Sequence, residues 1–178
     1  MLRIETGVLR GKVIETVNDP RTRYTPALVR RSLSSMVDFE GKSCLDLCCG
    51  SGVVGFEMLS NGASRVTFVD VSERALITVK RNALKLNVLE RVVTKKMDAR
   101  RFLELTTERF DVIYTDPPYE LGLVQEILSR VTNVMHRETL LIVQCSKREK
   151  PFQTEVLGLK IVKEKDYGDT FLIFLQKI

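Results

Sequence analysis

The sequence has few of the residues from which metal sites and disulfide frameworks are built. Its 178 residues include four cysteines (Cys44, Cys48, Cys49 and Cys145) and a single histidine, His136. No two cysteines have the C-x2-C spacing that structural zinc sites prefer. We therefore expect no metal. We interpret the cysteines as small apolar thiols in buried strands of a protein from a reducing compartment, and His136 as structural.

Long apolar segments are also missing. No run approaches the roughly 20 residues needed to cross a bilayer, and residues 1–7 lack the apolar core of a secretory signal. We therefore expect a cytoplasmic protein with no membrane partner. With 44% hydrophobic and 29% charged residues, the composition is that of an ordinary globular protein.

The net charge of +5 is concentrated at the start of the chain. Residues 1–37 contain three acidic residues and seven basic ones, which are Arg3, Arg10, Lys12, Arg21, Arg23, Arg30 and Arg31. A local basic excess favours binding to a polyanion such as nucleic acid. A solvated surface without a partner is the alternative interpretation.

From about residue 43, short apolar runs alternate with amphipathic stretches. The runs predict strands at 43–48, 65–70, 92–96, 110–115 and 139–145, with helices over 53–61, 73–87, 100–105 and 121–134. This alternation is typical of βαβ units in a mostly parallel sheet that is covered on both faces. Two further runs, 155–164 and 170–176, predict a closing antiparallel hairpin and a seven-stranded sheet.

The first forty residues lie outside this alternation. Turn signals within 2–17 predict a small β-hairpin, and 26–37 predicts a helix that leads into the first core strand. We therefore divide the chain into an N-terminal extension, 1–40, and an α/β domain, 41–178.

A glycine-rich loop follows the first core strand, and an acidic residue, Asp70, ends the next strand. Gly50, Gly52 and Gly55 have the G-x-G-x-x-G spacing of nicotinamide dinucleotide sites, but such a match alone is weak. Asp46 lies inside the strand, four residues before the first glycine. A buried carboxylate needs a partner, and the ammonium group of S-adenosylmethionine (SAM) would supply one, so we favour SAM over a nicotinamide.

A second motif, Asp116-Pro117-Pro118-Tyr119, follows the apolar strand 110–115. It is expected at the carboxyl end of a strand beside the glycine loop, in the crevice where open α/β sheets bind ligands. The Asp116 carboxylate and the Pro117 carbonyl can accept hydrogen bonds from an amino group on a nucleobase and direct its lone pair at a methyl donor. Tyr119 offers a ring on which the base can stack. A plain Pro-Pro turn would explain the prolines but not the aspartate.

Further candidate cofactor contacts follow the second and third core strands. Asp98 is placed to accept a hydrogen bond from the adenine amino group of the cofactor, or to cap the next helix. The complete predicted cofactor set is Asp46, Cys48, Gly50, Ser51, Gly52, Asp70, Val71, Asp98 and Ala99.

Together these segments resemble the bacterial RsmD family of 16S ribosomal RNA guanine-N2 methyltransferases over nearly the whole chain. The resemblance rests on Arg3-Ile4-x-x-Gly7-x-x-Arg10-Gly11, Arg23-x-Thr25-x-x-x-Val29-Arg30, Leu45-Asp46-Leu47 with Gly50-Ser51-Gly52, Asp116 to Tyr119, and Tyr167-Gly168-x-Thr170. Departures from the family pattern are Tyr24 for Pro, Arg31 for Glu, Ser34 near a usual Phe, and Cys48-Cys49 for Phe-Ala.

The resemblance implies a Rossmann-like class I SAM-dependent methyltransferase, and we expect a monomer. Its implied reaction is methyl transfer from SAM to the N2 amino group of a guanine in 16S rRNA, of the type made at position 966, within an assembling 30S subunit. The implied catalytic residues are Asp116, Pro117, Pro118 and Tyr119. The implied RNA-binding residues are Arg3, Arg10, Lys12, Arg23, Thr25 and Arg30.

Two alternatives to this function remain at the level of sequence. Because adenine-N6 methyltransferases of DNA share the Asp-Pro-Pro-Tyr motif, that motif alone does not identify the base. A non-catalytic SAM-binding or RNA-binding assembly factor is the other alternative.

Overall fold

A computed structural model describes residues 1–18, 24–118, 122–151 and 153–178. The strands are β1 (Leu2–Arg3), β2 (Val13–Ile14), β3 (Ser43–Leu47), β4 (Arg65–Asp70), β5 (Val92–Lys96), β6 (Phe110–Thr115), β7 (Met135–Ser146), β8 (Leu159–Asp166) and β9 (Thr170–Lys177). The helices are α1 (Ala27–Met36), α2 (Val53–Ser60), α3 (Glu73–Lys85), α4 (Ala99–Leu105) and α5 (Leu123–Leu128). Among the described residues, no helix is both long enough and apolar enough to cross a membrane.

Seven strands form one sheet in the order β5-β4-β3-β6-β7-β9-β8. The first five strands in this order are parallel, whereas β9 runs antiparallel to both β7 and β8. The strand order reverses between β3 and β6, so the crevice for a ligand lies at the carboxyl ends of these two strands. The predicted Rossmann-like sheet with its C-terminal hairpin is confirmed.

The central strands β3, β4 and β6 are buried on both faces of the sheet, which explains their continuous apolar runs. Cys44 and Phe68 belong to the hydrophobic core on the side of α2 and α3, and Leu45 and Val69 belong to the core on the side of α4 and α5. All eight residues of α2 are buried. This helix packs on β3 and β4 and also contacts α1, so it has no solvent-facing side to require polar residues.

Three predicted boundaries were wrong. The helix predicted over 121–134 ends at Leu128, a 3-10 turn covers Val131–Val134, and β7 starts at Met135 rather than at Thr139. The buried residues of this stretch recur at helical spacing, but a short helix, a turn and a strand bury them in succession. The predicted strand over 155–164 begins as a 3-10 turn, Thr154–Leu157, because Gly158 takes a left-handed conformation before β8.

The N-terminal extension packs directly against the α/β domain. Strands β1 and β2 pair antiparallel, as the sequence predicted, and Ile4 and Ile14 are buried in the core that α2 and α3 share. A side chain at Gly7 could not fit, since its Cβ would lie 2.1 Å from the Ser60 carbonyl oxygen. The division at residue 40 stays a prediction, but the two parts share one hydrophobic core.

A buried ion pair fastens the extension to α2. The Nη1 atom of Arg30 lies 3.0 Å from Oε1 of Glu57, and both side chains are at most 4% exposed. Arg30 also donates to the carbonyl oxygens of Arg3 (2.8 Å) and Thr25 (3.0 Å), while Glu57 accepts from the amide of Glu5 (2.6 Å). One pair therefore joins the hairpin, the segment before α1, and the helix that begins at the glycine loop.

Replacing Arg30 with methionine should destabilise the protein strongly. The change leaves the Glu57 carboxylate buried without its cation, which costs about 3 kcal/mol in the free energy of unfolding. Urea denaturation measures this loss, and Arg81→Met provides the control, because its ion pair with Glu15 is exposed and should contribute less than about 1 kcal/mol. An Arg30→Met protein as stable as the control variant would contradict this account.

Candidate active site

Three carboxylates meet at the carboxyl ends of neighbouring strands. Asp46 pairs in register with Phe68 on one side and with Tyr114 on the other, which places β3 between β4 and β6. Asp70 ends β4, and Asp116 follows directly after β6. The sheet therefore brings Asp46, Asp70 and Asp116, which are distant in sequence, to the same edge.

Asp46 is the most deeply buried of the three. Its side chain is 2% exposed, and its Oδ2 atom accepts a hydrogen bond of 3.0 Å from the amide of Gly55. Burial raises the pKa of Asp46 from 3.8 to about 8, and the negative charges of Asp70 and Asp116 add to the rise. The Gly55 amide lowers the pKa and offsets part of this shift. A cation placed here would favour the ionised carboxylate.

Gly55 is required by this arrangement. A Cβ at this position would lie 2.2 Å from Cε1 of Phe68 and 3.1 Å from the Asp46 carboxylate. The absence of a side chain lets α2 approach the sheet closely enough for its amide to reach Asp46. The G-x-G-x-x-G spacing is thus explained by helix packing at its third glycine, without reference to a particular cofactor.

The loop between β3 and α2 is held in a tight turn. Cys48, Gly50 and Gly52 all have positive φ angles, of 63°, 54° and 82°. The Asp70 carboxylate fixes the turn from the neighbouring strand, since it accepts from the amides of Gly50 (2.9 Å) and Ser72 (2.9 Å). Each Asp70 oxygen retains a second lone pair that a hydroxyl group of a ligand could use.

Other predicted cofactor residues surround this loop. Asp98 caps α4 through the amide of Arg100 (2.9 Å) and pairs with its guanidinium (2.8 Å), which confirms the capping interpretation. Hydrogen bonding from Arg100 holds the pKa of Asp98 at about 2. Val71 is 65% exposed beside Asp70, whereas Ser51 and Ala99 are buried.

The two cysteines of the loop are not poised as nucleophiles. Burial raises the pKa of Cys48 to about 12 and that of Cys49 well above its usual value, and the nearby aspartates strengthen both shifts. A thiolate is therefore disfavoured at either position. Within the described ranges, no cluster of three or more His, Cys, Asp or Glu side chains could hold a metal ion.

The Asp116 motif begins at the third of these carboxylates, beside Asp46 and Asp70. Asp116 is half-buried, Pro117 is buried and Pro118 is exposed. Tyr119 lies outside the described residues. Below the motif, Tyr114 donates a 2.5 Å hydrogen bond to Oε1 of Gln144. Its phenol oxygen also lies 3.1 Å from the hydroxyl of Thr25. These hydrogen bonds connect the segment before α1 to β6, the strand that Asp116 follows.

The predicted RNA-binding residues fall into two groups. Arg3, Arg10 and Lys12 are exposed on the hairpin, whereas Thr25 and Arg30 are only 5% and 3% exposed. Arg30 contacts Glu57 and Thr25 contacts Tyr114 inside the protein. Arg30 and Thr25 therefore do not lie on the exposed basic surface of the hairpin. Arg23 lies outside the described residues.

Sequence reasoning missed Glu57, Tyr114 and Gln144. A glutamate in the otherwise apolar helix Val53–Ser60 was the available signal for a buried charge pair. Tyr114 and Gln144 read as ordinary strand residues, and only the alignment of β6 with β7 brings them together.

The seven-stranded sheet with its C-terminal hairpin has the Rossmann-like fold of methyltransferases. A model of the family described as "Conserved hypothetical protein 95" matches residues 2–176, and the chain belongs to this family. The resemblance to the RsmD family is confirmed.

Relatives and solved structures agree with this assignment. The chain is 31% identical to "Putative rRNA methyltransferase YlbH" of Bacillus subtilis, over 99% of both chains. It is 29% identical to "Ribosomal RNA small subunit methyltransferase D" of Haemophilus influenzae, over 94% of this chain and 89% of the relative. The fold is similar to the structure of "Putative methyltransferase yhhF" from Escherichia coli, with a TM-score of 0.83, 22% identity, and coverage of 99% and 97% of the two chains.

Replacing Asp46 with asparagine should change how stability depends on pH. Because the pKa of Asp46 is raised in the folded protein, the folded chain binds a proton more tightly than the unfolded chain. Its contribution to stability is therefore present below pH 4 and is lost as pH rises towards 8. An asparagine keeps an acceptor for Gly55 but does not titrate. The stability of Asp46→Asn relative to wild type should accordingly rise by at least about 2 kcal/mol between pH 4 and pH 8.

Urea denaturation at pH 4, 6 and 8 measures this difference. Asp38→Asn is a suitable control, because Asp38 is exposed and lies before the amino end of β3, whereas the cluster lies at the carboxyl ends of the strands. A difference between Asp46→Asn and wild type that does not change with pH would show that the Asp46 carboxyl is not perturbed.

Proposed function

We propose that this protein is an SAM-dependent methyltransferase that modifies the N2 amino group of a guanine in 16S rRNA. The observation that carries the proposal is the position of Asp116 and Pro117 beside the cluster of Asp46 and Asp70. An acceptor pair suited to an amino group lies next to carboxylates suited to a cationic cofactor. The rRNA methyltransferase names of the relatives support RNA as the substrate.

The described residues fit SAM. Asp46 is a buried carboxylate with a raised pKa that accepts a hydrogen bond from the Gly55 amide, and a ligand ammonium would stabilise its ionised form. Asp70 can accept from ribose hydroxyls, the exposed Val71 side chain can cover one face of the adenine, and Asp98 remains ionised as an acceptor. Positive φ angles at Gly50 and Gly52 give the loop its tight turn, and the absence of a side chain at Gly52 makes room for Phe68 and Val79 of the core. When bound, SAM supplies an electrophilic methyl group.

The chain's own contribution to the reaction is orientation. The lone pair of an exocyclic amine is delocalised into its ring, which makes the amine a poor nucleophile. The Asp116 carboxylate and Pro117 carbonyl can each accept one N–H, which pulls the amine out of the plane and directs its lone pair. Proline fixes the backbone of this acceptor, and the Asp116 carboxylate can take the proton that the methylated amine releases.

The N-terminal extension is the proposed RNA-binding segment. Its exposed cations on the hairpin can contact phosphates, while its buried contacts through Arg30 and Thr25 hold it against α2 and β6. We infer that the extension presents the RNA strand to the Asp116 motif. Binding should therefore weaken as salt concentration rises.

The direct test is methyl transfer from isotopically labelled SAM to 30S subunits isolated from cells that lack this protein. We expect labelled N2-methylguanosine after nucleoside digestion, and a loss of about 100-fold or more in rate for Asp116→Ala, because one positioned acceptor is removed. The exposed Asp38→Ala variant serves as the matched control and should retain the wild-type rate. Calorimetry should show unchanged SAM binding by Asp116→Ala.

Other products would redirect the assignment. Labelled N6-methyladenosine would keep the orientation mechanism but overturn the guanine substrate. Binding of SAM without transfer to any RNA would contradict the proposed function and favour a non-catalytic factor.

A further inference from the structure

A second basic surface lies at the carboxyl edge of the sheet, outside the N-terminal extension. The chain leaves β7 at Ser146 and makes a short 3-10 turn, Lys147–Glu149, before Lys150. Lys147 and Arg148 are exposed, and Lys150 is half-buried. Lys147, Arg148 and Lys150 form a surface called here the β7 loop. Its three cations lie beside two carboxylates, those of Glu149 in the turn and Glu164 on β8.

The position of this loop follows from the sheet register. Thr115 pairs with Val143, so β7 continues three residues beyond the end of β6. The β7 loop therefore rises beside the Asp116 motif at the same edge. Phe171 pairs with Cys145 and belongs to the core on the side of α4 and α5, which is the face opposite to the extension.

The lysines of the loop are held in place. The ammonium groups of Lys147 and Lys150 lie 5.7 Å and 5.3 Å from the centre of the Phe171 ring, within the range of cation–π attraction. Lys150 also forms an ion pair of 3.0 Å with Glu164, whose side chain is 38% exposed. Aromatic contact and ion pairing reduce the number of conformations that these lysines would lose on binding a ligand.

The ordinary explanation for lysines at the rim of a sheet does not apply here. Lysines on an exposed edge strand prevent pairing with other chains, and this accounts for Lys160, Lys163 and Lys165 on β8. The β7 loop is not an edge strand, since it follows an interior strand that pairs with β6 and β9. Its cations therefore call for another explanation.

We propose that the β7 loop is a second phosphate-binding surface, which contacts the RNA backbone on the side of the Asp116 motif away from the N-terminal extension. This inference rests on the proposed function. When one nucleotide of an RNA strand enters the site, the nucleotides before and after it stay outside, one on each side of the site. The extension can hold the phosphates on one side, and Lys147, Arg148 and Lys150 hold those on the other.

The test compares two double variants that lose equal charge. Lys147→Ser with Arg148→Ser changes the β7 loop, and Lys160→Ser with Lys163→Ser changes exposed positions on β8. Filter binding to 30S subunits from cells lacking this protein gives the dissociation constant between 50 and 300 mM salt. We expect binding by the loop variant to be about tenfold weaker, with a salt dependence reduced by roughly 1.4 to 1.8 in log–log slope. The β8 variant should stay within about twofold of wild type.

A second pair of variants tests the role of the aromatic ring. Phe171→Leu keeps an apolar side chain but removes the cation–π contact, and we expect about threefold weaker binding. Phe171→Tyr keeps the ring and should bind like wild type. A loss in both variants would show that the ring only packs the core and would contradict this part of the proposal.

The outcomes separate this inference from the proposed function. Equal losses in the loop and β8 double variants, or none in the loop variant, would overturn the second surface even if methyl transfer is observed. Wild-type protein that binds 30S subunits without transferring methyl groups would overturn the proposed function, while the variant comparison would still decide the role of the loop. No binding by wild-type protein at 50 mM salt would overturn both.

Discussion

A buried carboxyl group at the end of the central strand constrains the rest of the site. Asp46 is almost completely buried, and two other aspartates lie nearby. The Gly55 amide donates a hydrogen bond that stabilises its carboxylate. That amide can reach the carboxylate only because position 55 has no side chain. This contact helps to place α2, and Asp70 separately anchors the glycine turn by accepting from the amide of Gly50.

Helix α2 then transmits the constraint to the N-terminal extension. The helix starts at the glycine loop and carries Glu57, which pairs with Arg30 in the interior. Thr25 makes a parallel connection to β6 through Tyr114, whose phenol also donates to Gln144. The proposed cofactor site and the proposed RNA-binding segment are therefore joined through buried polar contacts on two sides of the same core.

Much of the fold was accessible from sequence because its signals are local. Alternating apolar and amphipathic segments fixed the order of strands and helices, and Gly50, Gly52 and the Asp116 motif identified the edge of the sheet that carries the site. The predicted ends of helices and strands were wrong where several short elements in succession keep the same spacing of buried apolar residues, as between α5 and β7. The internal roles of Arg30 and Thr25 could not be predicted, since a basic or hydroxyl side chain before a helix gives no sign of whether its partner is a phosphate or a buried side chain. The register of β7 against β6 was equally inaccessible, and with it the position of the β7 loop.

In the proposed function, Asp46 and Asp70 at the carboxyl ends of β3 and β4 bind a cationic SAM molecule rather than a nicotinamide dinucleotide. Isothermal titration calorimetry of the purified protein with SAM and, separately, with NADH tests it most directly. We predict saturable binding of SAM that is lost in Asp46→Ala and in Asp70→Ala, with no binding of NADH. Binding of NADH, or SAM binding that is unaffected by both substitutions, would contradict it.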